Sequence, residues 1–193
     1  MIHSKGLQTR ILTEPTDNLF ELDYLKNHLR VDHTQDDILI TQLAKSIIAK
    51  CEHYAGRAFQ QKQIRAQWSE FGNVAVLPFP PHISIDSVQR RRADVGGIQQ
   101  WGDVTYTYSG LDEWKIYIDA TFSTVSWQSS ETRVDFTCGY DETPSAVYDA
   151  VKDTITFVYE NRGEIESDGG NVLRDFNLTG VTKSLLEPYK VYR

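Results

Sequence analysis

The chain has 193 residues, 40% of them hydrophobic and 24% charged, with a formal net charge of −7 and a pI near 5.2. That length suits one substantial core, or a core plus an inserted module, and no apolar run approaches the roughly 18 residues of a membrane span. The acid excess argues against tight sequence-independent nucleic-acid binding, which depends on Lys and Arg displacing counterions.

The first residues, Met1-Ile2-His3-Ser4-Lys5-Gly6, lack the apolar core of a signal peptide, so a protein made in, or assembled from, a cytoplasm is expected. Residues 1–17 show no clear periodicity and include Pro15, which predicts a flexible N-terminal arm. Asn18 with Glu21 resembles a capping box, and Leu22, Leu25 and Leu29 follow as an apolar stripe that stops near Val31. Thr34 with Asp37 marks a second helix start, and Asp36 and Asp37 suit the positive end of a helix dipole. Leu39, Leu43, Ile47, Cys51 and Tyr54 line one face, widened by Ile40 and Ile48. Gly56 fits the left-handed position that ends such a helix. At about 1.5 Å per residue this second helix is about 30 Å long.

The texture then changes to alternation. Ile64, Ala66 and Trp68 alternate with polar residues, as do Trp114, Ile116 and Ile118, and Val134, Phe136 and Cys138. Residues 74–77, 83–88, 104–108 and 122–127 read as further short strands, punctuated by Pro78, Pro80-Pro81, Gly96-Gly97, Gly102 and Gly110. All four Trp residues fall in this block, enough aromatic bulk for a small core of its own. Thr143-Pro144 restarts helix, with Thr as cap and Pro at the first helical position, and Val147, Val151, Ile155 and Val158 give the stripe. Asn161-Arg162-Gly163 ends it. A polar loop spans 163–180, and a last turn at 182–187 leads to Pro188 and the tail Tyr189-Lys190-Val191-Tyr192-Arg193.

Neither long stripe can be buried alone, so the two helical segments are expected to meet across the strand block. The resulting expectation is an α+β fold: an antiparallel helical bundle, 18–58 with 143–162, carrying an inserted small antiparallel β-sheet or sandwich module at 59–142. A loop and docking tail complete it at 163–193.

Chemistry-bearing constellations are sparse. His28, Asp32, His33, Asp36 and Asp37 cluster around the first interhelical loop, but the acids have a simpler role at a helix start and no second ligand pair follows at fixed spacing. Cys51 and Cys138 read as buried thiols. There is no G-x-S-x-G elbow, no H-E-x-x-H and no phosphate-cradling glycine loop with its lysine. No catalytic, metal or cofactor residue is therefore assigned, and no enzyme is expected. Two segments remain as candidate contacts. Arg90, Arg91 and Arg92 form the one dense basic patch. It suits a subunit or DNA contact, or simply a charged hairpin end that discourages edge pairing. The C-terminal run Leu185, Leu186, Pro188, Tyr189, Val191, Tyr192 and Arg193 is more apolar than a disordered tail. It either packs back on its own helices or docks on a partner.

Several motifs, in order, resemble the phage head–tail connector (adaptor) proteins of siphophages. They are Lys26-Asn27-His28-Leu29-Arg30-Val31-Asp32, Tyr54-Ala55-Gly56-Arg57-Ala58 and Leu77-Pro78-Phe79-Pro80-Pro81 with Ile85 and Val88. Gly139-Tyr140-Asp141 with Thr143-Pro144, Tyr159-Glu160-Asn161-Arg162 and Leu185-Leu186-Glu187-Pro188-Tyr189 complete the set. The resemblance covers about residues 20–190 and implies a structural virion protein. Such a protein forms a homo-oligomeric, dodecameric ring below the portal protein and links it to head-closure (stopper) or tail proteins at the virion neck. It would assemble in the host cytoplasm, away from any membrane, and pass DNA through its lumen without specific binding. It also implies that the C-terminal run docks on the portal. The rival expectations are a DNA-packaging-associated factor and another tail-completion or ligand-binding virion module.

Overall fold

Alternation of period two, more than helical stripes, organises the described backbone. The computed structural model describes residues 4–15, 18–72, 74–93, 99–118, 131–161 and 178–191. It divides into two units: Met1–Pro15 with Gln60–Tyr140, and Thr16–Phe59 with Asp141–Arg193.

The first unit holds eight described strands: β1 (Ser4–Thr13), β2 (Lys62–Phe71), β3 (Val74–Val76), β4 (His82–Ala93), β5 (Gln99–Asp103), β6 (Tyr106–Ser109), β7 (Lys115–Ile118) and β8 (Thr132–Cys138). They form a five-stranded sheet in the order β1-β2-β8-β4-β5 and a three-stranded sheet in the order β3-β7-β6. Every pairing is antiparallel. Side chains opposite one another across a ladder share a face. Ile64 thus lies beside Phe136 and Ala66 beside Val134, with Val88 on the far side of Val134, and all five are buried. Trp68 packs edge-on against Phe71 in the same core, their centroids 5.3 Å apart. In the smaller sheet Ala75, Ile116 and Ile118 turn inward. Buried His82 lies between Phe136, at 5.4 Å, and Trp114, at 5.8 Å between ring centroids. Its backbone N–H donates to Asp112 O at 3.1 Å, which ties β4 to the loop before β7.

The second unit is helical: α1 (Leu22–Leu29), α2 (Asp37–Ala55), α3 (Ser145–Glu160) and α4 (Gly180–Leu186), followed by a 3-10 turn at Glu187–Tyr189. α2 buries Ile40, Leu43, Ala44, Ile47, Cys51 and Ala55, and α3 buries Val147, Ala150, Val151, Thr154, Ile155 and Val158. The two helices pack together and run antiparallel. Tyr159 at the end of α3 donates to the Asp36 carboxylate before α2, while Thr143 before α3 donates to Phe59 O after α2 at 3.1 Å. Phe20, Tyr24 and Tyr148 close the α1 end as an aromatic cluster, with Phe20 and Tyr148 at 4.3 Å. On the other side, the hydroxyls of Thr154 and Thr182 meet at 2.8 Å and join α3 to α4.

The expected helical bundle with a small inserted sheet is therefore corrected. Among the described residues, four helices stand against eight strands in two antiparallel sheets, so the fold is sheet-dominated. The strand block is also no insert, because its larger sheet takes an edge strand, β1, from residues that precede both first helices. The flexible arm expected at 1–17 is corrected by the same strand. Leu7, Thr9 and Ile11 alternate with Gln8 and Arg10 and pair with Trp68, Ala66 and Ile64. The expected caps also move. α1 and α2 begin after Glu21 and Asp36 without a side-chain cap bond, and Thr143 bonds across to Phe59 instead of capping α3. The strand expected at 122–127 lies outside the described residues.

Two glycines test the backbone. Gly139 closes β8 at φ +120°, where an added Cβ would sit 2.2 Å from Gln60 O, whereas Gly180 opens α4 with nothing within 4 Å. Gly139→Ala is expected to destabilise by more than about 1 kcal/mol, and Gly180→Ala to be neutral or stabilising by up to about 1 kcal/mol. Urea denaturation of both variants checks the contrast.

Candidate functional site

Two motifs singled out by the sequence prove to be halves of one clasp. The last turn of α2 leaves backbone carbonyls without helical partners, and the C-terminal segment supplies one. Val191 N–H donates to Ala55 O at 2.8 Å. Arg57 Nε donates to Tyr189 O at 2.6 Å, and Tyr54 OH donates to Glu187 Oε2 at 3.1 Å. Lys190 Nζ lies 4.6 Å from the Tyr54 ring centroid, within cation–π range. Gly56 sits at φ +67°, the left-handed position that favours glycine, and an added Cβ there would meet Val191 Cβ only at an ordinary contact distance of 3.5 Å. Tyr54, Ala55, Gly56 and Arg57 each contribute to holding residues 187–191.

The expected docking residues are accordingly spread over different environments. Leu186 is fully buried, while Leu185, Tyr189 and Val191 are half-buried and Pro188 is exposed. Tyr192 and Arg193 lie outside the described residues, as does the acidic loop at 163–170.

The basic run is split by the alternation of β4. Arg90 shares the core face with Val88 and stands opposite Thr132. Its Nε is buried without a hydrogen-bond partner, and burial holds its pKa below the ordinary value. Arg91 points to the other face and pairs with Glu131 at 2.7 Å. The side chain of Arg92 lies outside the described residues. The run is therefore not one exposed cluster of three guanidinium groups.

That other face of the five-stranded sheet carries several cross-strand polar contacts, which spacing alone does not reveal. Arg65 and Asp135 form a two-point pair, both contacts at 2.7 Å, of the bidentate kind that adds direction to charge. Gln63 donates to Asp86 at 2.8 Å, and Arg133 Nε donates to Gln89 at 2.8 Å. Gln89 in turn donates to Asp103 at 2.8 Å. The Arg133 guanidinium stacks 4.4 Å over the Trp101 ring. Burial pushes the Asp135 carboxyl up, but the hydrogen bonds and charge of Arg65 outweigh it and hold the pKa below the ordinary 3.8. The buried Cys51 thiol is pushed up to about 12, by burial first and by Glu52 second, which leaves it unreactive.

Around the first interhelical loop, His28, Asp32 and His33 are exposed. Asp36 accepts from Tyr159, and Asp37 pairs with Lys26 at 2.7 Å. Among the described residues no group of three or more His, Cys, Asp or Glu side chains is placed to hold a metal ion. No described helix is long and apolar enough to cross a membrane.

No known family pattern matches this sequence, and no curated protein matches it. The fold does have counterparts among solved structures. A chain from the neck of an empty gene transfer agent particle, computed with C6 symmetry, superposes with a TM-score of 0.70 at 16% identity, covering 96% of both chains. A chain from the virion of the native particle gives 0.69, and one from the native neck computed with C12 symmetry gives 0.68, at the same identity and coverage. The likeness spans both units and establishes a shared fold.

Two outcomes follow from this geometry. Arg57→Ala removes a clasp contact and is expected to speed limited proteolysis after Lys190, with the rest of the chain protected; unchanged cleavage would show that the clasp does not hold the tail. The depressed pKa of Asp135 means its pairing stabilises above the ordinary carboxylate range and fades as pH falls through the folded value. The stability gap between wild type and Asp135→Asn should thus shrink as pH drops below about 4, read by denaturation across pH.

Proposed function

We propose that the chain is a structural subunit of the neck of a tailed, phage-like particle. There it forms a homo-oligomeric ring below the portal and joins it to head-closure or tail proteins. The observation that carries this reading is the fold likeness over 96% of the chain to neck subunits in C6- and C12-symmetric assemblies. The ordered motifs that resemble head–tail connector proteins support it independently, because they are features of the sequence and not of the fold.

The charge balance favours a passage over a grip. With 27 acidic against 20 basic side chains, DNA phosphates meet little of the cationic surface that counterion release requires. Arg90 and Arg91 add little, since Arg90 is drawn toward the core and Arg91 is paired. This favours a connector over a packaging factor that holds DNA.

Docking on the portal is assigned to the segment that the clasp presents. The clasp fixes residues 187–191 against α2 and leaves Pro188 exposed, so a partner would meet a pre-ordered surface at lower entropic cost. Ring valency would then multiply a modest contact.

Electron microscopy of the purified protein, alone and mixed with a cognate portal, tests the proposal. A ring, or an added layer of density on the portal, is expected. A chain that stays monomeric and adds nothing to the portal at any ratio would overturn it.

A further inference from the structure

The core face of the larger sheet does not end where its cover ends. Along β2, Ile64, Ala66 and Trp68 are 2%, 0% and 1% exposed. Their direct neighbours on β1, Ile11, Thr9 and Leu7, lie on the same face, yet Leu7 and Ile11 are 42% and 43% exposed. One strand spacing of about 4.8 Å thus separates a sealed core from two half-open aliphatic side chains. Leu12 is also exposed. Among the described residues β1 is an edge strand ten residues long, and such edges are normally short or blunted, because their N–H and C=O groups invite pairing. This edge carries Lys5 and Arg10 and no acid between Ser4 and Thr13, in a chain of net charge −7.

A shape of matching chemistry lies on the smaller sheet. The turn between β6 and β7 raises Leu111 with 95% of its surface exposed, followed by Asp112 and Glu113. This tip is built to hold its shape. Gly110 sits at φ +128°, where a Cβ would lie 2.1 Å from Glu113 O. Trp114 Nε1 donates to Leu111 O at 2.8 Å, and the Trp114 ring stacks on Tyr108 with centroids 4.5 Å apart. A fixed, fully exposed leucine beside two acids is a preorganised knob, at lower ordering cost than a loop.

We infer that the turn at Leu111-Asp112-Glu113 of one copy docks on strand β1 of a second copy, with Leu111 against Leu7 and Ile11 and the two acids toward Lys5 and Arg10. This deepens, and rests on, the reading of the protein as a ring subunit. The occupant is a second copy because both halves are on the chain and are unlike each other. A contact between unlike patches is heterologous, and it propagates head to tail until it closes. The opposite charges complement each other, and charge pairs at an interface rim set orientation and encounter rate. Because β1 is an edge, a docking tip reaches the strand from its apolar side and along its flank, so Arg10, which lies on the polar face opposite Arg65, is within the same approach.

Intermolecular disulfide trapping tests the contact. An equimolar mixture of full-length Ile11→Cys and Leu111→Cys chains is assembled, checked for rings by electron microscopy, and oxidised mildly. Both native thiols are buried, so wild type serves as the silent control. The expected result is hetero-disulfide in large excess over either homo-disulfide, and a ladder of covalent oligomers when both substitutions are on one chain. Loss of rings in Lys5→Glu/Arg10→Glu, with regain on adding chains bearing Asp112→Lys/Glu113→Lys, separates a lost contact from a lost fold. Rings without the hetero-disulfide would overturn this contact while leaving the ring reading intact. Absence of rings from wild type, alone and with portal, would overturn both.

Discussion

Strand β8 sets the register on which the larger sheet depends. It bonds to β2 on one side and β4 on the other, so seven residues align three strands at once. Its residues Thr132, Val134, Phe136 and Cys138 are buried, and Arg133, Asp135 and Thr137 between them face the other way. A slip of one residue would drive Arg133 and Asp135 into the core and expose Val134 and Phe136. The cost of burying an unpaired charge makes that alternative far worse than the native alignment. The Arg65–Asp135 pair and the Arg133–Gln89 bond add a second restraint, because each spans β8 and a neighbour. The polar face thus specifies the alignment, while the apolar face supplies the larger burial term.

In the helical unit a comparable restraint sits at the end of α2. The helix must stop where its carbonyls lose partners, and the residues that stop it are the same ones that hold the C-terminal segment. Gly56 turns the chain, Ala55 accepts from Val191, and Arg57 reaches Tyr189. Glu52, buried one turn earlier, accepts from Phe59 N–H at 2.7 Å and fixes the exit direction. A buried carboxylate is tolerated when hydrogen bonds meet it. The packing of α2 on α3 and the position of the tail are therefore coupled through a few side chains. Few substitutions at 54–57 would leave both unchanged.

What the sequence disclosed, and what it concealed, follows from which signals are local. The long stripe of α2 and its Gly56 stop are local, and both are found. Its buried face is nonetheless turned slightly, with Ile40, Ala44 and Ala55 inside and Tyr54 reaching out to the tail. The alternation at 64–68 and 134–138 is also local and yields the two strands that seal the core. Strand β1 is hard to read from the sequence because Gly6, the polar Thr9 on its apolar face and Leu12 beside Ile11 blur its alternation. Without that strand the sheet reads as an insert and the helices as dominant. The clasp was half legible: both motifs stood out, but no local rule joins residues 54–57 to 187–191. The cross-strand polar contacts were invisible, since Arg65, Asp86, Asp103 and Asp135 read as scattered charges until the strands align them.

Charge and edge geometry together constrain how copies of this chain can associate. Copies of a chain with net charge −7 repel one another at long range, an effect that salt screens over about 8–10 Å. Any association of copies must therefore rest on short-range contacts that outweigh the repulsion, and β1 is one segment that combines cations without acids and exposed aliphatic surface. A symmetric contact of β1 with itself would bring two further cations and no acid to Lys5 and Arg10, which like-charge repulsion disfavours. An unlike partner surface carrying acid removes that penalty and gives the contact a direction. A directional contact between unlike patches closes into a ring when the rotation per copy allows it and extends into a filament when it does not. The same cations that stop β1 from pairing indiscriminately thus favour a partner that presents an apolar tip with carboxylates beside it.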